Sequence, residues 1–208
     1  MKRGLFISFE GPDGSGKTTQ ISLLNDYLKS LGYEVLMTRE PGGTPISENI
    51  RSIILNPDND EMNPMTEALL YSASRAQHVA EKIKPALDKG MIVLCDRFMD
   101  SSIAYQGYAR ELGDCIRIIN EYAVMGVQPD LTFFMNLSAE DGMARAEKRH
   151  KLDRLEQEDI DFHKKVYEGY LELAKIYKDR YVVIDASKSI DEISDVIKKE
   201  FNDRASKK

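Results

Sequence analysis

The sequence predicts an α/β domain, a five-stranded parallel sheet flanked by helices on both faces, and three observations lead there. Five short apolar runs, most of them unbroken rather than alternating, have the length of strands buried on both faces. The segments between them repeat apolar residues at helical spacing, so strand and helix alternate along the chain. The 208 residues make one domain's length, 1–208, able to bury roughly 70% of the unfolded surface without staples. Sheets of this kind hold ligands beyond the carboxyl ends of their strands, so function is sought just after each strand.

The first run, Leu5-Phe6-Ile7-Ser8-Phe9, is followed by Gly11-Pro12-Asp13-Gly14-Ser15-Gly16-Lys17-Thr18, which fits G-x-x-x-x-G-K-[ST] at every fixed position. Such a string arises by chance in roughly one unrelated chain of this length in a hundred, and its place between strand and helix weakens the plain-turn reading further. Glycines at 11, 14 and 16 let successive N–H groups face one anion. The helix that follows, with Ile21, Leu24, Leu28 and Leu31 before Gly32, aims its dipole at the same point. Residues 11–18 therefore read as the phosphate loop of a P-loop NTPase fold. Lys17 is expected to bridge β- and γ-phosphates and Thr18 to ligate the Mg²⁺ that travels with a nucleoside triphosphate.

Val35-Leu36-Met37 is the second strand, with Arg39-Glu40-Pro41-Gly42-Gly43-Thr44 after it and Arg51 on the next helix. Tyr71 and Arg75 lie one turn apart on a later helix face. Pro85, in a helical stretch, predicts a kink or an early end before Gly90. Met91-Ile92-Val93-Leu94-Cys95 is the third strand and runs into Asp96-Arg97-Phe98. There Asp96 can hold the metal, directly or through water, while Arg97 offers positive charge to phosphate oxygens. Leu131-Thr132-Phe133-Phe134-Met135 precedes a helix with Ser138 and Asp141 in a weak capping pattern. Tyr181-Val182-Val183-Ile184 precedes a last helix whose Ser189 and Glu192 form a capping box.

With 29 basic against 35 acidic side chains, a net charge of −6 and a pI near 5.2, broad binding to DNA or RNA is disfavoured, since that needs clustered Lys and Arg. No run has the length of a signal-peptide core or a membrane span. Cys95 and Cys115 show neither metal-ligand nor C-x-x-C spacing, and His78, His150 and His163 make no zinc pattern; a reduced, cytoplasmic protein is expected. A GTPase switch is disfavoured because N-K-x-D is absent and the only D-x-x-G, Asp13 to Gly16, lies inside the phosphate loop.

Together with the phosphate loop, Arg39-Glu40-Pro41-Gly42-Gly43-Thr44, Asp96-Arg97-Phe98, Ser101-Ser102-Ile103-Ala104-Tyr105-Gln106-Gly107 and Asp153-Arg154-Leu155-Glu156 resemble the bacterial thymidylate kinase family, in its order, from about residue 5 to 185. One departure is Ser47, where many members have glycine. The resemblance implies transfer of the γ-phosphoryl of ATP to dTMP, giving dTDP and ADP, by a homodimer. It implies that Arg39, Arg51 and Arg97 handle the acceptor phosphate, that Asp13 lies near metal and acceptor, and that Tyr105 crowds the sugar's 2′ carbon. It implies a base pocket with Arg75 and Gln106, to which Glu40 and, as a weaker candidate, Ser102 are added. A donor-only arginine suits thymine O4, an amide that both donates and accepts suits N3–H, and Tyr71 could stack on the same ring. Residues 145–156 match a lid, with Arg149 or Arg154 delivering charge to the transition state. The rival readings are a P-loop kinase with another acceptor, dUMP or a deoxynucleoside with Glu40 as base, and a non-catalytic nucleotide-sensing module.

Overall fold

Phe6–Glu10 (β1), Val35–Arg39 (β2), Ile92–Asp96 (β3), Leu131–Asn136 (β4) and Tyr181–Asp185 (β5) form one parallel sheet in the order β2-β3-β1-β4-β5. The computed structural model describes residues 3–148 and 152–205. Its α-helices are α1 (Lys17–Ser30), α2 (Pro45–Leu55), α3 (Pro64–His78), α4 (Lys84–Asp88), α5 (Met99–Ser102), α6 (Cys115–Ala123), α7 (Ala139–Glu147), α8 (Ile160–Ile176) and α9 (Ile190–Ala205).

The unbroken apolar runs have their cause in two cores. Along the central strands one set of alternate residues, Phe6, Val93, Cys95 and Phe134, enters the core that also holds α8 through Val166 and Tyr170. The other set, Ile7, Phe9, Leu94, Phe133 and Met135, enters the core with Leu24 and Leu28 of α1 and Ile193 and Ile197 of α9. The full-burial expectation fits β1, β3 and β4, but not the sheet's rims: β2 is half-exposed along its length and β5 buries only Tyr181 and Ile184. A rim strand has a neighbour on one side only.

Each strand outlasts its apolar run. β1 ends on Glu10, β2 on Arg39 and β3 on Asp96, because backbone pairing continues past the last apolar side chain, as between Arg39 and Asp96. Three charged residues thus end adjacent strands at one edge of the sheet. The helix that carries Pro85 ends at Asp88, before Gly90 as expected, and the proline sits where one helical form passes into another. A π-helical segment, Val79–Ile83, takes up the turn before it and α4 restarts with the proline in its first turn, where no N–H is required. A second π segment, Ile103–Ala109, follows α5 and carries Tyr105 and Gln106. Both capping patterns form: Ser138 Oγ accepts from Asp141 N at 3.1 Å, and Ser189 and Glu192 exchange bonds of 3.0 and 3.3 Å. No helix among the described residues is long and apolar enough to cross a membrane.

Candidate active site

The phosphate loop turns into α1 at Gly16, whose φ of 87° lies in the left-handed region that a side chain would strain. Lys17 is buried and folds back over the loop, its Nζ 2.8 Å from Pro12 O and 3.1 Å from Gly11 O. Burial, and then the nearby Arg97 charge, push its ammonium down to about 8. Thr18 Oγ1 donates to Asp96 Oδ2 at 2.8 Å, joining the start of α1 to the end of β3. Among the described residues no three His, Cys, Asp or Glu gather as a metal cage. One hydroxyl and one carboxylate fit Mg²⁺, which keeps most of its ligands as water and phosphate. The loop also leans on α7: a Cβ on Gly14 would lie 2.4 Å from Gly142 O, and one on Gly142 would lie 2.8 Å from Asp13 O.

Beside the loop, Arg97 adopts φ 68°, a strained value for a side-chain-bearing residue, and its guanidinium reaches four partners. Nη2 donates to Asp13 Oδ1 at 2.8 Å and Tyr105 Oη at 3.2 Å; Nη1 donates to Tyr170 Oη at 3.0 Å and Ser101 Oγ at 3.3 Å. Tyr105 also donates to Asp13 Oδ2 at 3.2 Å. Burial opposes a charge on Asp13, yet Arg97 and Lys17 hold its carboxyl well below the usual range. Beneath this cluster lies Glu10, fully buried, accepting from Phe98 N at 2.7 Å and Ser101 Oγ at 2.6 Å. Burial, and then Asp100, push its carboxyl up to about 8 against those bonds.

A cavity of about 310 Å³ runs from Lys17 and Thr18 past Arg97 to Arg75 and Gln106. At its far end Arg75 is buried at 1% exposure, with Nε on Glu40 Oε2 at 2.6 Å, Nη1 on Ser102 Oγ at 3.0 Å and on Asn120, and Nη2 on Phe98 O at 3.0 Å. Four of its five N–H groups are thereby used and one Nη2 hydrogen remains. Gln106 Nε2 donates to Glu67 Oε1 at 2.9 Å, while its Oε1 is buried with no partner. Tyr71 and Tyr105 line the same space, and at its flank Arg39 pairs with Glu48 through bonds of 2.9 and 3.0 Å while Arg51 donates to Pro41 O at 2.8 Å. Glu40 is fully engaged, since His78 Nδ1 lies 3.0 Å from its other oxygen. A cradle for phosphate, a bridging guanidinium and a closed polar end form one continuous site.

The sequence model of the thymidylate kinase family matches residues 9–197. The chain belongs to the thymidylate kinase family. It is 54% identical over 194 residues to a thymidylate kinase of a Geobacillus species, covering 92% of each chain. To the thymidylate kinase of Lactobacillus acidophilus it is 51% identical, covering 99% of this chain and 97% of the relative. The crystal structure of thymidylate kinase from Ehrlichia chaffeensis is similar with a TM-score of 0.80 and 34% identity, over 96% of this chain and 99% of that one. Its activity is that of the family, ATP-dependent phosphorylation of a nucleoside monophosphate.

Within this kinase, Asp13, Gly14, Gly16, Lys17, Thr18, Arg39, Glu40, Arg51, Tyr71, Arg75, Asp96, Arg97, Ser102, Tyr105 and Gln106 border the one cavity. Gly11, Pro12 and Ser15 lie behind them, with their oxygens toward Lys17. Arg154 is not brought to the phosphate loop: its Nε donates to Ile54 O at 2.8 Å and its Nη2 to Glu67 Oε2 at 2.7 Å. Arg149 lies outside the described residues. Ser47 is buried and ties α2 to α3 by donating to Ser74 O at 2.8 Å. Glu10, Ser101, Tyr170 and Glu67 join the site without having been expected there. Glu67 had a signal: positions 67, 71 and 75 share one face of α3, and the stripe that relates Tyr71 to Arg75 extends one turn further back.

Proposed function

We propose that the chain transfers the γ-phosphoryl of ATP to the 5′-phosphate of dTMP, yielding dTDP and ADP for dTTP synthesis in the cytoplasm. The observation that carries this is the single cavity in which the phosphate loop and the Arg75–Gln106 pair face one another across Arg97. An acceptor phosphate with its second pKa near 6 is already an anion at neutral pH, so no group need remove a proton. An acceptor oxygen forms the new bond to the γ-phosphorus while the bond to the β,γ-bridging oxygen breaks, and the leaving electrons stay on ADP. What this requires of the protein is alignment and positive charge.

Residues 11–18 hold the ATP phosphates and Lys17 moves from the loop carbonyls to the β- and γ-oxygens. Thr18 and Asp96 would hold Mg²⁺, which supplies charge neutralisation on the phosphates when bound. Asp13 and Tyr105 keep the Arg97 guanidinium between donor and acceptor, and Arg39 and Arg51 take the acceptor phosphate. The free Nη2 hydrogen of Arg75 suits thymine O4, the unpartnered Gln106 Oε1 suits N3–H, and Tyr71 stacks on the ring. Ser102 and Glu40 act by steadying Arg75. With Glu40 held between Arg75 and His78, the deoxynucleoside reading lacks its base. Segment 145–156 serves as the lid, and Arg149 and Arg154 are its candidate carriers of charge; for Arg154 this requires leaving Glu67. A homodimer belongs to the same reading, supported by the exposed Leu69 and Tyr122 on the adjacent helices α3 and α6.

The test is a coupled assay of ATP with dTMP, dUMP, dCMP and thymidine, run on the wild type and on Arg97→Ala. The expected result is preferred turnover of dTMP, and in the variant a kcat lower by on the order of a thousandfold with the ATP KM little changed. Turnover of thymidine but not dTMP would overturn the acceptor, a variant as fast as wild type would remove Arg97 from the transfer, and no turnover of any acceptor by the wild type would favour a sensor.

A further inference from the structure

We propose that Glu67 is a positioning residue that sets pyrimidine selectivity by fixing which end of the Gln106 amide faces the pocket. This rests on the acceptor reading above and deepens it. A glutamine amide presents nearly the same shape after a half-turn about its last torsion, so packing alone does not decide whether oxygen or nitrogen meets the base. Glu67 decides it by charge. Its carboxylate oxygen can only accept, so it takes the NH₂ end at 2.9 Å and leaves Oε1 as a buried, unpartnered acceptor. An acceptor in that place matches a pyrimidine whose N3 bears hydrogen and opposes one whose N3 is a bare lone pair.

Glu67 is held firmly for this task. It is fully buried on α3, two turns before Arg75, and receives Arg110 at 3.3 and 3.1 Å and Arg154 at 2.7 Å. Arg110 is braced in turn by Glu158. With the amide's own bond, both carboxylate oxygens are occupied by donors, so Gln106 meets the group with its NH₂ end. The base reader is therefore only as selective as the carboxylate behind it.

The experiment compares kcat/KM for dTMP and dCMP in the wild type, Glu67→Gln, Gln106→Glu and the double variant. In Glu67→Gln the new amide can donate to Gln106 Oε1, letting the reader turn its NH₂ toward the base. The dTMP/dCMP ratio is expected to fall about tenfold or more, with the ATP KM unmoved. In the double variant the donor and acceptor exchange places, the carboxylate now at position 106 can only accept, and the ratio should return to within about threefold of wild type. A folded Glu67→Gln with an unchanged ratio, or a double variant no more selective than it, overturns the proposal. Should Glu67→Gln not fold, NMR of the wild type decides: the Gln106 side-chain NH₂ should resist solvent exchange before dTMP is added, and a freely exchanging amide overturns the proposal. Absence of dTMP turnover in the wild type would instead strike the acceptor reading.

Discussion

Glu10 ends the central strand with a carboxyl sealed beneath the Arg97 cluster, and its proton has a stability consequence. In the unfolded chain it titrates near 4.5; in the folded chain burial and Asp100 raise it to about 8. Between those values the native state holds a proton that the unfolded state has released, so this contribution is complete below about 4.5 and is lost as pH rises through 8. Thermal melts from about pH 5 to about 8.5 should show the midpoint falling, and Glu10→Gln, which cannot ionise, should flatten that slope. A variant with the wild-type slope would refute the linkage. Asp13 runs the other way, its low value adding stability that disappears only in acid. Neither pairing has a local signal in the chain. Asp13 meets Arg97 across 84 residues and Glu67 meets Gln106 across 39, whereas Lys17 and Thr18 announce themselves within one eight-residue string.

Strands that read alike in sequence differ in what they carry. Phe133 lies in β4, between two paired strands, and is fully buried with its ring 5.2 Å from that of Phe9. Val183 belongs to the rim strand β5 and is 52% exposed. Phe133→Ala should cost about 3–5 kcal/mol and Val183→Ala about 0.5 kcal/mol or less, read from urea midpoints at constant slope. Comparable losses would mean that the rim is as buried as the centre. The alternation of strand and helix, the capping pattern at Ser138, the capping box at Ser189 and the strand end at Asp96 were legible, because each is written within a few neighbouring residues, whereas Arg39, expected after its strand, is drawn into it by pairing with Asp96. The π segments were not, since no residue spacing in the sequence marks where a helix widens.

At the scale of the molecule, the apolar surface left over bears on assembly. Helices α3 and α6 pack side by side and still expose Leu69 at 51%, Ile118 at 48% and Tyr122 at 80%. Exposed large side chains on adjoining elements are what a second copy would cover. Light scattering should therefore give twice the chain mass, with Tyr122→Glu shifting the population toward single chains; a wild-type mass of one chain would sink the dimer. The contact between Gly14 and Gly142 carries a different lesson for the whole. With no side chain on either glycine, backbone closely approaches backbone there, and a tilt of α7 at Gly142 would press on the phosphate loop. A lid of the proposed kind would therefore have to bend beyond Gly142 for the cradle to stay still.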